Sequence, residues 1–204
     1  DVSGSRNFGT LSQIKRDMMA EVAATLAFST IANNDKVGVI FFSDKIEKFI
    51  PAKKGKTHVL HIIRELLSFE PQSTGTDIAQ ALQYFANAQK RHCTAFLISD
   101  FIDAGNMYQP LMIASNRHEV NAIQIYDRRE AELPNVGLIK FHDAETGKDI
   151  WIDTAITSVR NNYAQAWRDN QDTMQQLFTR TGVDHVSIRT DEDYVKALMH
   201  LFRC

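Results

Sequence analysis

Three separated clusters of oxygen-bearing side chains stand out in this sequence: Asp1-x-Ser3-x-Ser5, Thr76 within Thr74-Gly75-Thr76-Asp77, and Asp100 closing Leu97-Ile98-Ser99-Asp100. Two carboxylates and three hydroxyls form an oxygen-only donor set, which is the preference of a hard cation. Mg²⁺ takes about six oxygens in octahedral geometry and keeps some of them as water. The alternating spacing of the first cluster lets one tight loop aim three oxygens at a single centre. The other two pieces contribute only if the fold gathers them. So few anionic donors leave a cation electrophilic and ready for one more oxygen from outside, most naturally a partner's carboxylate. That is docking chemistry rather than hydrolysis.

The elements that must gather these pieces are read from apolar periodicity. Ile14, Met18, Val22, Leu26 and Ser29 recur at helical spacing and predict a first helix to about Asn33. Residues 36–42 form a nearly continuous apolar run, the pattern of a strand buried on both faces. Ile46 to Ile50 is a second strand, ended by Pro51. Residues 57–68 place Val59, Ile62, Ile63, Leu66 and Leu67 on one helical stripe. A further helix after Thr76 carries Ile78, Ala81, Leu82, Phe85 and Ala88 inward.

Thr94 to Ser99 is the next strand, with Asp100 at its end; a helix at about 107–117 and a strand from Val120 to Tyr126 follow. The alternation then breaks. Leu138 to His142 and Asp149 to Asp153 read as a β-hairpin inserted at about 136–154. A long helix over 157–181, a strand from Val183 to Ile188 and a helix from Glu192 to Phe202 close the chain. Alternating strands and helices imply one α/β domain over 1–204, with a mostly parallel sheet covered on both faces. In such sheets ligands sit beyond the carboxyl ends of the strands. The three clusters all lie there.

The pattern resembles the metal-ion-dependent adhesion site of von Willebrand factor A domains. Ala81, five positions after Thr76, holds the small residue that family carries there, and Asp100 ends an apolar strand as the family's Asp does. The chain is most similar to the bacterial family catalogued as domain of unknown function 58. The stretches that carry the likeness are Gly38 to Asp44, Gly75 to Ile78 with Ala81-Leu82, Ile98 to Phe101, Arg117 to Val120, Asp127 to Glu130 with Leu133-Pro134, and Asp143 to Gly147. The resemblance implies a Rossmann-like, doubly wound sheet with one antiparallel edge strand, and a first strand leading into Asp1 that this sequence lacks. It implies that Ser3, Ser5 and Thr76 contact Mg²⁺ (or Mn²⁺ or Ca²⁺) directly, with Asp1 and Asp100 acting directly or through water. It further implies a non-enzymatic interaction module that works with a MoxR-type AAA+ ATPase in protein maturation or assembly. Full-length members of the family often carry an N-terminal membrane anchor.

Composition narrows the field. With 23 Lys+Arg against 25 Asp+Glu, the net charge of −2 argues against the basic face of a nucleic-acid binder. No apolar run approaches the roughly 20 residues of a membrane span. Two cysteines, Cys93 and Cys204, are too few for a disulfide framework or a four-Cys zinc site, and a reduced cytoplasmic setting fits. Gly55-Lys56-Thr57 precedes a helix as a phosphate loop does, but Ile50 stands where that motif needs glycine. His58 and His61 share a helix without a third ligand nearby and read as a solvated face. Cys93 has no partner close in sequence.

Blander readings stand beside the metal site. The lesser alternative for the opening cluster is a flexible terminal turn rich in Ser and Gly. Thr76 could be a helix N-cap, with Asp77 favouring the positive helix start. Two other functions compete with the interaction module: a Mg²⁺-dependent hydrolase or phosphotransferase, and a scaffold without metal. Against the hydrolase, Ser3 occupies the place of the second carboxylate that phosphotransferases of this kind use.

Overall fold

The apolar runs become strands and the periodic stretches become helices in the computed structural model. It describes residues 1–3, 9–73, 75–102, 105–142 and 149–202, the side chains of 9–13, 141, 142 and 149 excepted. In chain order the elements are α1 (Gly9–Asn33), β1 (Val37–Phe42), β2 (Ile46–Lys53), α2 (Lys56–Ser68), α3 (Ile78–Ala88), β3 (Thr94–Ser99) and α4 (Tyr108–Ser115). They continue with β4 (Glu119–Tyr126), α5 (Arg128–Ala131), β5 (Leu138–His142), β6 (Asp149–Asp153), α6 (Thr157–Thr181), β7 (Asp184–Arg189) and α7 (Tyr194–Leu201). The chain divides into two compact units, Asp1–Tyr126 with Phe178–Cys204, and Asp127–Leu177.

In the first unit β3, β4 and β7 form a parallel sheet in that order, with Ile98 beside Ile123 and Ile125 beside Ile188. Six consecutive β4 residues, Val120 to Ile125, are buried, as the two-sided burial of a parallel strand requires. Val22 of α1, Ile123 and Ile125 of β4, Ile188 of β7 and Leu198 and Leu201 of α7 pack into one core on this sheet. Each such side chain contributes about 1.5–3 kcal/mol when fully buried. Helix α4 also packs on β4, burying Leu111 and Ala114, so helices flank the sheet. The architecture is mixed α/β with a three-stranded parallel sheet, compatible with the Rossmann-like class.

A second, antiparallel pair joins β1 to β2. Phe41, Ile50, Val59, Ile62 and Ala27 form its core beneath α2 and α1, with the Phe41 and Phe69 rings stacked at 4.7 Å. Strand β2 runs through Pro51 to Lys53 instead of ending at Pro51. The register explains this: Val37 faces Lys53 and Val39 faces Ile50, so Pro51 lies at a bulge on an edge strand, where its missing N–H costs no ladder bond. Two helical stripes are narrower than the periodicity predicts, since Leu67 is 68% exposed and Ala86, not Ala88, is buried on α3.

Between β1 and β3 lies an apolar cleft of about 370 Å³, bounded by both strands and by α1 and α3. Asp1 and Val2 stand at its edge. The Asp1 backbone nitrogen donates to Ile98 O of β3 at 2.9 Å, and Val2 N donates to Phe42 O of β1 at 2.8 Å.

The second unit holds the four-residue α5, the β5–β6 hairpin and most of α6. Leu138 pairs with Asp153 and Lys140 with Trp151; residues 143–148 lie outside the described residues. Among the described residues, no helix is long and apolar enough to cross a membrane.

Candidate functional site

The carboxyl ends of β1 and β3 set the geometry. Asp1 is held beside the last residues of β3 by its bond to Ile98, and Val2 beside the last residue of β1. Just past β1, Ser43 O accepts from Asp77 N at 2.9 Å, which brings the segment containing Thr76 to the same end of the unit. Gly75 fits against Asp44 there, where an added Cβ would stand 3.3 Å from the Asp44 Cβ.

These anchors let the predicted side chains meet. Ser3 N donates to Asp1 Oδ1 at 2.8 Å, and the Ser3 hydroxyl bonds the same oxygen. Thr76 Oγ1 donates to Ser3 Oγ, while Ser99 Oγ donates to Asp1 Oδ2. The result is a run of oxygens, Thr76–Ser3–Asp1–Ser99, drawn from three chain segments. Thr76 is not the cap of α3. Asp77 takes that role, accepting from Gln80 N at 2.8 Å, and the Thr76 hydroxyl is thereby left to the oxygen run. Ser5 lies outside the described residues, as do Thr74 and Asp103.

Asp100 follows Ser99 directly. Its Oδ2 receives the Lys15 ammonium at 2.7 Å, its Oδ1 accepts from Ile102 N at 3.3 Å, and its carbonyl accepts from Gln124 Nε2 at 3.1 Å. Gln124 is fixed in turn by the Ser187 hydroxyl, 2.8 Å from its Oε1. After Asp100 the chain turns sharply through Phe101, whose φ of 56° is the left-handed region that bulky residues rarely adopt. Phe101 is only 1% exposed, and its ring meets Phe178 edge-on at 5.5 Å.

The loop carrying Thr76 is braced by Glu47. One carboxylate oxygen accepts from the buried Ser43 hydroxyl at 2.8 Å, from Gln72 N at 3.1 Å and from Ser73 N at 3.2 Å. Ser99, Lys15, Gln124 and Glu47 escaped the sequence reading because their partners lie far along the chain. Ser99 alone carried a signal, as the residue that precedes Asp100 at a strand end.

The donor set fits a hard divalent cation. Every group on the run is oxygen, whereas the Asp100 carboxylate is paired with Lys15. Among the described residues no three His, Cys, Asp or Glu side chains cluster as a metal-holding group.

The remaining candidates have other roles. His58 Nε2 lies 2.9 Å from Val37 O, whereas His61 leans towards Glu65 at 3.9 Å, so the two do not form a ligand pair. Cys93 does have a histidine partner, though a distant one in sequence: His118 Nδ1 lies 3.6 Å from its Sγ. Burial raises the Cys93 thiol above its ordinary range and, together with His92 and Arg117, lowers the His118 imidazole. A thiol shifted in that direction is a poor nucleophile at neutral pH.

A family model described as "Protein of unknown function DUF58" matches residues 1–173. The chain is 30% identical over 199 residues to uncharacterized proteins of Mycobacterium tuberculosis (Rv1480) and Mycobacterium bovis (Mb1516), alignments that cover 96% of this chain and 62% of each relative. The chain thus spans less than two thirds of the length of these relatives. Among solved structures, it resembles conserved hypothetical protein BatB from Bacteroides thetaiotaomicron with a TM-score of 0.54 and 16% identity, over 93% of this chain and 89% of that one. An aerotolerance-related membrane protein from Bacteroides fragilis is similar with a TM-score of 0.55 and 16% identity, over 91% and 89% of the two chains. At that identity the likeness is one of fold alone. Since the family model spans most of its length, the chain belongs to the family described as protein of unknown function DUF58.

Proposed function

We propose that the chain is a divalent-cation-dependent protein-interaction module of the von Willebrand factor A type, and not an enzyme. One observation carries the reading. Thr76, Ser3 and Asp1 are linked in a single oxygen run at the carboxyl ends of β1 and β3, with Asp100 one residue from the run's last member. Asp1, Ser3, Thr76 and Asp100, with Ser5 two positions after Ser3 in the sequence, would hold Mg²⁺ or Mn²⁺ and leave a position for a carboxylate from a partner protein. The cleft between β1 and β3, with Asp1 and Val2 at its edge, supports the von Willebrand topology, because a strand leading into Asp1 would run along it. The partner we propose is a MoxR-type AAA+ ATPase, engaged during maturation or assembly of other proteins. In the cell the module works on the cytoplasmic side, and the longer protein is anchored to the membrane through a segment outside this sequence.

The test is thermal. Mg²⁺ or Mn²⁺ at about one hundred times its dissociation constant adds about 2.7 kcal/mol to the stability of a protein that binds it only when folded. The full-length protein is expected to melt several degrees higher with either ion, and Asp100→Ala is expected to abolish the shift. Capture of the ATPase should need the ion and weaken on Thr76→Ala. An unchanged melting temperature with both ions would favour a metal-free scaffold. A metal-dependent phosphoester turnover lost in Asp1→Asn would favour a hydrolase.

A further inference from the structure

We propose that Lys15 is a tethered counter-ion that occupies Asp100 while no cation is bound and must leave it before a divalent ion is taken up. The inference rests on the cation site proposed above and adds to it a residue that sets its affinity. The Lys15 ammonium lies 2.7 Å from Asp100 Oδ2, with the two side chains only 15% and 22% exposed. A charge-assisted contact this sheltered is screened less than a surface pair. Asp100 has little freedom to serve a second cation at the same time. Its Oδ1 faces Ile102 N at 3.3 Å and its Oδ2 carries the Lys15 charge, so a divalent ion on either oxygen would stand beside the ammonium.

An ammonium and a divalent ion on one carboxylate oxygen repel each other strongly away from bulk water. With Lys15 on the carboxylate, the apparent dissociation constant of the ion rises in inverse proportion to the fraction of molecules in which the carboxylate is open. Lysine suits this role. Its charge is compact and sits on a flexible four-carbon stem, so it can withdraw while the α1 backbone stays in place.

The test compares wild type with Lys15→Met, which keeps most of the stem and removes the charge, using Mn²⁺ alone as the probe. Calorimetric titration is expected to show Mn²⁺ bound at least about ten-fold more tightly by Lys15→Met, the factor by which an open carboxylate fraction of one tenth would weaken the wild type. Without metal Lys15→Met should melt below wild type, and in saturating Mn²⁺ that deficit should close or reverse. An ion pair that only braces the fold would lower both melting temperatures alike. Lys15→Gln, a polar replacement, is to be read in the same way if Lys15→Met does not fold. Equal Mn²⁺ affinities, or a deficit that persists unchanged in Mn²⁺, overturn the role of Lys15 and leave the cation site standing. Absence of Mn²⁺ binding in wild type and variants alike overturns the site, and this inference with it.

Discussion

Glu47 shows how far a single oxygen can organise the loop that carries Thr76. Its Oε1 serves two backbone N–H groups, of Gln72 and Ser73, and the hydroxyl of Ser43, which is fully buried. Removing the acceptor deprives both backbone donors of this bond and leaves the Ser43 hydroxyl to its longer, 3.2 Å contact with Asp44 Oδ1; a hydrogen bond to a charged group contributes about 1.5–3 kcal/mol. Glu47→Ala should therefore lower the stability measured by urea unfolding by about that amount, and Glu47→Gln, which keeps an acceptor oxygen, by clearly less. Equal losses would mean that the carboxylate's charge, not its hydrogen bonds, does the bracing. At this scale the sequence shows residue types but not partners. Asp1, Ser3, Thr76 and Asp100 are legible because oxygen donors at strand ends form a recognisable set. Ser99 bonding Asp1, and Lys15 facing Asp100, come from contacts between positions on opposite sides of the first unit's chain path, which no local pattern encodes.

Among the elements, the β1–β2 pair makes the sharpest demand on sequence. A Cβ at Gly38 would lie 2.8 Å from both Ala52 N and Ile50 O, closer than any side chain tolerates, because the bulge at Pro51 folds that backbone over the glycine. Gly38→Ala should force the two strands apart, at about 1–3 kcal/mol, the usual cost of overpacking. A thermal melt of the variant would read this as a clear drop, and an unchanged melting temperature would show that the bulge can relax. The glycine is easy to see in the sequence, but its reason is not, since it depends on the register shift opposite. Long helices such as α1, α2 and α6 are legible because many periodic residues vote together. The four-residue α5 is too short for periodicity. Its signal is instead a capping box, with the Asp127 side chain accepting from Arg129 N and Glu130 Oε2 from Asp127 N, each at 2.9 Å.

Across the molecule, protection should follow the depth of the strands. β4 is central in its sheet and buried along six consecutive residues, whereas β2 is an edge with four exposed positions. Native-state hydrogen exchange is expected to find the β4 amides among the slowest and those at the Pro51 end of β2 among the fastest, because local openings expose edges first. Comparable rates in both strands would contradict this order. One turn links this deep packing to the acidic group at the rim. The left-handed backbone of Phe101 costs a bulky residue about 1–2 kcal/mol, and the embedding of its ring against Phe178, with the bond from its N–H to Ser99 Oγ, holds it there. The bearing of the neighbouring acid is thus steered from the interior, like a rudder worked from below deck. A smaller side chain at position 178 would loosen that hold without altering one atom of the acid itself.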